Sequence, residues 1–378
     1  MKIIISPNSF KGTLSSIDAC NLIERGIKKV NSRFNTYKLP IADGGDGSLD
    51  FFKYYFPHKS ILLKSLNPVG ETIQSEYILI EKEKTAVIEF ANSSGYSLMI
   101  NKERDLSNMD SYGTGIQIKS AIDNGAKKII LCLGGSATID GASGILKALG
   151  VKFLKDGKEV EKRNPITDME EVDISNFLKY IKNVEFVLLS DVNNKILGKD
   201  GAVMIYGKQK GLYQEYFKKF ENYLEKFTQL ASKIFDINLL TIEGGGSAGG
   251  AGAILSAFFN AKLYNGTEFL LEFVNYKKYM NDSSVIITGE GAIDLQSLNN
   301  KGPIALIQYI NNLKIKKPIT IAIAGKFDYS LNGKFNNIFD YIFSISDMRK
   351  TEDVIKDSKK YLQEESIKVG RFINHLDV

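Results

Sequence analysis

Short runs of β-branched and aliphatic residues alternate along this chain with stretches whose apolar positions recur every three or four residues. KIIIS at 2–6, KKIILCLGG at 127–135, EFVLLSDV at 185–192, SSVIITGEG at 283–291 and PITIAIAG at 318–325 are apolar runs of strand length that empty into small or polar residues. Runs this continuous have no polar face, which is the pattern of strands covered on both sides in a parallel sheet. The first of them, in MKIIISPNSFKG, reads as an edge strand passing into a loop. Helical patterns lie between the strands. Ser15 is placed to cap a helix three residues before Asp18, with Ile17, Cys20, Ile23, Ile27 and Val30 on one face. Over 214–235, Phe217, Phe220, Leu224, Phe227, Ala231 and Ile234 recur by threes and fours. That stripe is too short for a sustained coiled coil and is read as core-facing.

Two features interrupt the alternation. NPVG at 67–70 separates extended segments within 60–90, a hairpin signal that marks the start of a second, differently built domain. Glycine-rich turns follow several apolar runs: ADGGDGS at 42–48, GGSATIDGASG at 134–144, GGGSAGGAG at 244–252 and GEGAID at 289–294. Glycines let backbone N–H groups approach an anion, and the accompanying carboxylates suit a metal or a proton. Together they point to a phosphorylated ligand with a divalent metal. In α/β sheets such ligands gather beyond the carboxyl ends of the strands.

Composition narrows the chemistry. The 378 residues suffice for two domains with full cores, and a formal charge of +5 without a basic block argues against nucleic acid as a partner. No apolar run reaches membrane-spanning length, and the amino-terminal run is too short for a signal peptide, so a cytoplasmic protein is expected. Cys20 and Cys132 are the only cysteines, and both sit in apolar patterns as core residues. His58 and His375 are the only histidines and neither lies in a glycine-rich turn, which leaves proton transfer to carboxylates or lysine.

The loops divide into competing readings. In SPNSFKG, Ser9 and Lys11 fall between a strand and a helix, where a lysine is either solvated or a phosphate contact. Asp43 and Asp46 stand in a tight turn, able to face one cation. Gly134, Gly135, Ser136, Thr138 and Asp140 combine backbone and hydroxyl donors, which favours phosphate or carboxylate binding. Asp191 ends an apolar run with Asn193 and Asn194 beside it, as a general base or a cap. Glu290 and Asp294 are cap or cation ligand. Gly244, Gly246 and Gly249 satisfy G-x-G-x-x-G, the dinucleotide fingerprint, yet six glycines in nine positions nearly guarantee that spacing.

Taken in order, SPNSFKGTLS, LPIADGGDGS, AVIEFANSSG, the segment from SYGTG to GVKF at 111–153, SDVNN, YGKQKG, GGSAGGAGA, VIITGEGAIDLQSLNNKGPIAL and IAIAGKF resemble the bacterial glycerate kinases that use ATP. The resemblance covers nearly the whole chain. It implies an α/β fold of two domains: a doubly wound, parallel, flavodoxin-like one from residues 1–62 and 284–378, and an inserted mixed-sheet α/β domain from 63–283, with the active site in the cleft between them. The implied reaction is transfer of the γ-phosphoryl group of ATP, with Mg²⁺, to a hydroxyl of D-glycerate, the 2-hydroxyl in preference to the 3-hydroxyl. Monomer and homodimer both remain open. The positions that match the family's motifs are Lys11, Asp43, Gly134, Gly135, Ser136, Asp140, Asp191, Gln209, Lys210 and Glu290. The roles expected are catalysis for Asp191 and Lys11, substrate binding for Ser9, Asp43, Asp140, Gln209 and Lys210, nucleotide phosphate binding for Gly134, Gly135, Ser136, Thr138, Gly246, Ser247 and Gly249, and metal binding for Asp46 and Glu290.

Three departures stand out. The family's Gly-Glu-Gly-Arg-x-Asp has Ala292 here, its Asn-Pro-Leu is Asn194-Lys195-Ile196, and Lys208 replaces the proline of Gly-Pro-Gln-Lys-Gly. Two rivals follow: a nicotinamide-dependent oxidoreductase resting on Gly244, Gly246 and Gly249, and an inactive sugar-acid sensor resting on Ala292.

Overall fold

The structure, a computed structural model, describes every residue except 101–103, 296, 299, 300, 314, 348–350, 377 and 378; part of the segment 285–306 thus lies outside the described residues. In chain order the strands are β1 Lys2–Pro7, β2 Asn35–Lys38, β3 Lys59–Leu66, β4 Thr72–Ile80, β5 Thr85–Glu89, β6 Lys128–Cys132, β7 Lys152–Lys155, β8 Lys158–Glu159, β9 Glu171–Asp173, β10 Glu185–Ser190, β11 Lys262–Asn265, β12 Val285–Ile293, β13 Ile319–Phe327 and β14 Tyr341–Ser344. They belong to two compact units, one from Met1–Asp43 with Gly266–Val378 and the other Gly44–Asn265.

The first unit is a five-stranded sheet in the order β14-β13-β12-β1-β2, parallel throughout. Counted within the unit this is the flavodoxin-like order, with its reversal between β1 and β12. Ile3, Ile5, Val285, Ile287, Ile321 and Ile323 bury one face of the sheet in a core shared with helices Ser16–Val30 and Ser358–Asn374. The alternate residues Ile4, Ile286 and Ala322 are fully buried as well, and helix Gly302–Asn312 packs on β1 and β12. The sequence reading of β1 as an edge strand is corrected by this arrangement: β1 pairs with β12 on one side and β2 on the other. A run apolar at consecutive positions demands cover on both faces, and an edge does not supply it.

The second unit carries a six-stranded sheet, β11-β10-β6-β5-β4-β3, in which β5, β6, β10 and β11 are parallel while β4 and β3 run antiparallel as a hairpin. Asn67 makes the expected turn, accepting from Val69 and Glu71 through its side chain. A small antiparallel sheet, β8-β7-β9, stands apart. In helix Phe217–Phe235 the stripe is core-facing as expected, with Phe220, Leu224, Phe227 and Ala231 buried. Cys20 and Cys132 are buried and take part in no disulfide. Among the described residues no helix is long and apolar enough to cross a membrane.

In sequence the two compact units join at 43/44 and 265/266. Helix Ser48–Tyr55 packs on β4 and β5, and helix Gly266–Phe273 on Gly302–Asn312, so each belongs with the later or earlier sheet that covers it. The glycines of GEGAID lie within β12, which pairs with β13 as far as Ile293↔Phe327. The G-x-G-x-x-G run follows a 3₁₀ turn at Leu239–Thr241, with no strand before it.

Close packing of the two outer helices of the first unit depends on Gly26. A Cβ there would collide with the Cβ of Ser366 and lie 2.9 Å from the Gln363 carbonyl. Gly26→Leu is expected to cost about 1–3 kcal/mol or more in urea-induced unfolding, since the backbone cannot yield. Unchanged stability would contradict the packing.

Candidate active site

In the first unit the order reversal opens the sheet's carboxyl edge between β1 and β12, where a crevice forms in folds of this kind. The chain leaving β2 keeps donating to β1, from Leu39 N–H to Ile5 O at 2.8 Å and Ile41 N–H to Pro7 O at 3.2 Å, and so delivers Asp43 to that edge. Asp43 is buried; its Oδ2 accepts from Asn8 Nδ2 at 3.2 Å and lies 3.5 Å from the exposed Lys11 Nζ. Asn8 is itself fixed by its N–H to Gly289 O, 2.8 Å, and by accepting from Ser9 N–H at 2.8 Å. The buried carboxylate thus aims an exposed cation. From β12, Glu290 accepts from Ser297 Oγ at 2.9 Å. Burial pushes its carboxyl up to about 7; the Ser297 hydroxyl opposes this, the Asp43 carboxylate adds to it, and Lys11 offsets part. Lys11, Glu290, Asp294, Lys301 and Lys326 border a cavity of about 380 Å³ whose apolar wall includes Phe10, Ile345 and Val354. A larger cavity, about 640 Å³, lies against 280–284 and 315–319 at the amino ends of β12 and β13, away from these groups.

In the second unit the loop after β6 is built from within. Gly134 donates to Gly44 O at 3.2 Å, and a Cβ on it would sit 2.5 Å from Gly45 Cα, so only glycine allows the two turns to meet. Asp140 is fully buried and accepts from Ser111 N–H at 2.9 Å, Ser111 Oγ at 2.7 Å, Gly144 N–H at 3.1 Å and Thr138 Oγ1 at 2.9 Å. A carboxylate with four donors is satisfied by the protein itself. Asp140 therefore ties the loop to the start of helix Tyr112–Asp123, and Thr138 is buried with it. Lys210, from the end of helix Ala202–Lys210, is also buried, donating to Ser136 Oγ at 2.6 Å and Thr138 O at 2.8 Å. Burial brings its ammonium down to about 7, with Asp140 opposing.

The glycine-rich run at 244–252 is a brace. Gly246 N–H is spent on Asn194 O at 2.8 Å, Ser247 N–H on Gly244 O at 2.9 Å, and Gly249 O accepts from Gly141 N–H at 3.1 Å. A Cβ at Gly249 would strike the Thr138 carbonyl. Gly246, Ser247 and Gly249 are buried; Gly246 packs against Asn194 and Lys195 and Gly249 against Thr138 and Ile139, while the Ser247 hydroxyl has no hydrogen-bond partner among the described residues. What remains accessible is Gly135, exposed, with Gly134 and Ser136 half-buried, at the carboxyl end of β6. Asp46 and Gln209 are exposed, and Asp191 is half-buried at the carboxyl end of β10. Beside Asp191, Asn194 is locked by accepting from Tyr206 OH at 2.7 Å and donating to Asp200 O at 3.1 Å.

Sequence reasoning missed Glu89. It ends β5, is buried, and accepts from Leu49 N–H at 2.6 Å at the start of helix Ser48–Tyr55, which secures the turn that carries Asp46. Burial raises its carboxyl to about 8; Leu49 N–H opposes this and Asp46 and Asp50 reinforce it. The available signal was an acid closing an otherwise apolar strand, AVIEF.

With this geometry in view, the comparisons decide the family. Residues 3–374 match the sequence profile described as "Glycerate kinase family". The chain belongs to the glycerate kinase family. It is 34% identical to the glycerate kinase of Halalkalibacterium halodurans over 91% of this chain and 90% of that one. It is 32% identical to the glycerate 2-kinase of Escherichia coli over 91% and 90%. A crystal structure titled as a putative glycerate kinase 2 from Salmonella typhimurium LT2 superposes with a TM-score of 0.82 at 29% identity, covering 99% of this chain and 98% of that chain.

Two outcomes follow for the second unit. Asp140→Ala leaves buried N–H and hydroxyl donors without an acceptor and is expected to cost about 3 kcal/mol or more in denaturant unfolding; a loss below about 1 kcal/mol would contradict its role as a tie. Because the pKa of Lys210 falls from 10.5 to about 7, the folded protein binds fewer protons than the unfolded chain between those values. Its contribution is present above pH 10.5 and lost as pH falls through about 7. Wild-type stability should therefore rise with pH across that window relative to Lys210→Met, and parallel curves would contradict the assignment.

Proposed function

We propose that this glycerate kinase family member transfers the γ-phosphoryl group of ATP to the 2-hydroxyl of D-glycerate. The carrying observation is that residues 3–374 match the family profile while Lys11, Glu290, Gly135 and Asp191 stand at the carboxyl edges of the chain's parallel strands. The printed name of the Escherichia coli relative supports the 2-position. Phosphoryl transfer asks the protein chiefly for positioning and charge stabilisation, which an inventory without a catalytic histidine supplies.

In this reading Asp191 accepts or orients the proton of the attacking hydroxyl, held beside the locked amide of Asn194. Lys11, aimed by Asp43, contacts the transferring phosphoryl group or the acceptor's carboxylate. Ser9 and Gln209 bind acceptor, and Gly134, Gly135 and Ser136 take nucleotide phosphate oxygens. Lys210 acts from beneath, fixing Ser136 Oγ. Magnesium supplies charge neutralisation at the phosphates when bound. The donor chemistry fits it: Glu290 is an acid whose negative neighbours Asp43 and Asp294 are offset only in part by Lys11, and Mg²⁺ takes one or two carboxylates, completing its shell with water and phosphate. Glu290 is the first unit's candidate and Asp46 the second's.

The nicotinamide alternative loses its support, because a dinucleotide fingerprint needs a strand leading into its glycines and here a 3₁₀ turn does. Phosphorus NMR of the product formed from D-glycerate and ATP–Mg²⁺ tests the proposal, with 2-phosphoglycerate and ADP expected; glycerate binding without ADP release would favour the sensor reading. Asp191→Asn should lower kcat by about a hundredfold or more with little change in the KM for ATP. Full turnover in that variant would remove the base assignment.

A further inference from the structure

Strands β12 and β13 extend past their neighbours, and Glu290, Ala292 and Lys326 near their ends border the cavity of the first unit. Glu290 is in register with Ala324, and Ala292 with Lys326. Side chains alternate along a strand and paired residues share a face. Glu290, Ala292 and Lys326 therefore project to one side of the sheet, and all three border the cavity of about 380 Å³ together with Lys11 and Lys301. Adjacent strands lie only about 4.8 Å apart, so side chains at 292 and 326 are lateral neighbours that reach the same region. With alanine at 292, the lysine is the one long side chain of this pair. Lys326 is exposed and makes no ion pair among the described residues, whereas Lys11 is already engaged by Asp43.

We propose that Lys326 binds an anionic oxygen of a ligand in this cavity, supplying positive charge from β13 beside the uncharged Ala292 of β12. The inference rests on the proposed reaction, whose ligands offer two such oxygens: the carboxylate of glycerate and a phosphate of ATP. An ammonium is a compact point charge without the planar fork of a guanidinium, so the contact is less directional and more easily screened by salt.

The test is Lys326→Ala, followed by Ala292→Arg in the Lys326→Ala background, with KM for glycerate and for ATP measured separately and each ligand also titrated calorimetrically. Loss of one charge-assisted contact should raise one of the two constants by about tenfold or more, with a smaller effect on kcat. A rise confined to glycerate identifies the carboxylate, and one confined to ATP identifies the phosphate. Arginine at 292 should restore most of the loss. Active enzyme with both constants unchanged in Lys326→Ala overturns the proposal and leaves the kinase reading standing. If the wild type neither binds nor phosphorylates glycerate, the kinase reading fails; calorimetry with inorganic phosphate then decides for Lys326, weakened binding in the variant supporting it and equal binding overturning it.

Discussion

Parallel pairing is the constraint from which the chemistry of this chain follows. When strands run the same way, every carboxyl end reaches the same edge of the sheet, and the loops that leave it gather there whatever their distance in sequence. In the first unit this brings together the loop after β1, the chain leaving β2 and the end of β12, hence Lys11, Asp43 and Glu290. In the second it places Glu89, the 134–136 turn and Asp191 at the ends of β5, β6 and β10, which pair in parallel. The antiparallel hairpin of β3 and β4 contributes no such residue and serves to extend the sheet.

The ionisable groups at these edges fall into two kinds. Asp140 and Asp43 are buried with hydrogen-bond partners in place, one holding a loop and the other aiming a lysine. Glu290, Glu89 and Lys210 are displaced toward their neutral forms because burial outweighs the partners they have. Such groups respond to a charge arriving next to them: a cation near Glu290 would favour its ionised form. That response suits the proposed ligands, a polyanion and a divalent metal.

Much of this was legible in the sequence, for physical reasons. The buried strands were visible because continuous apolar runs leave no doubt about burial on both faces, and the turns because glycine with Asp or Ser has few other uses. The partners were not. Nothing local to Asp140 announces that Ser111 will satisfy it, or that Glu89 will receive the Leu49 N–H; both depend on which strands pair. The run at 244–252 misled for the same reason. Its glycines are required by close approach to Thr138, Asn194 and Lys195, a packing demand that imitates an anion-binding motif in composition. Likewise GEGAID reads as a turn until β13 is seen to pair with it to the end, and that pairing is what sets Lys326 beside Ala292.

The claim at the centre is that ligands are held at the carboxyl edges of the parallel strands and nowhere else. Hydrogen exchange with and without glycerate, Mg²⁺ and a non-hydrolysable ATP analogue measures this directly, because bound ligand slows local opening where it makes contact. Slowing concentrated at residues 8–12, 134–136, 191–194 and 289–294 is the expected result. Slowing centred instead on 280–284 and 315–319, at the opposite edge, would contradict the account.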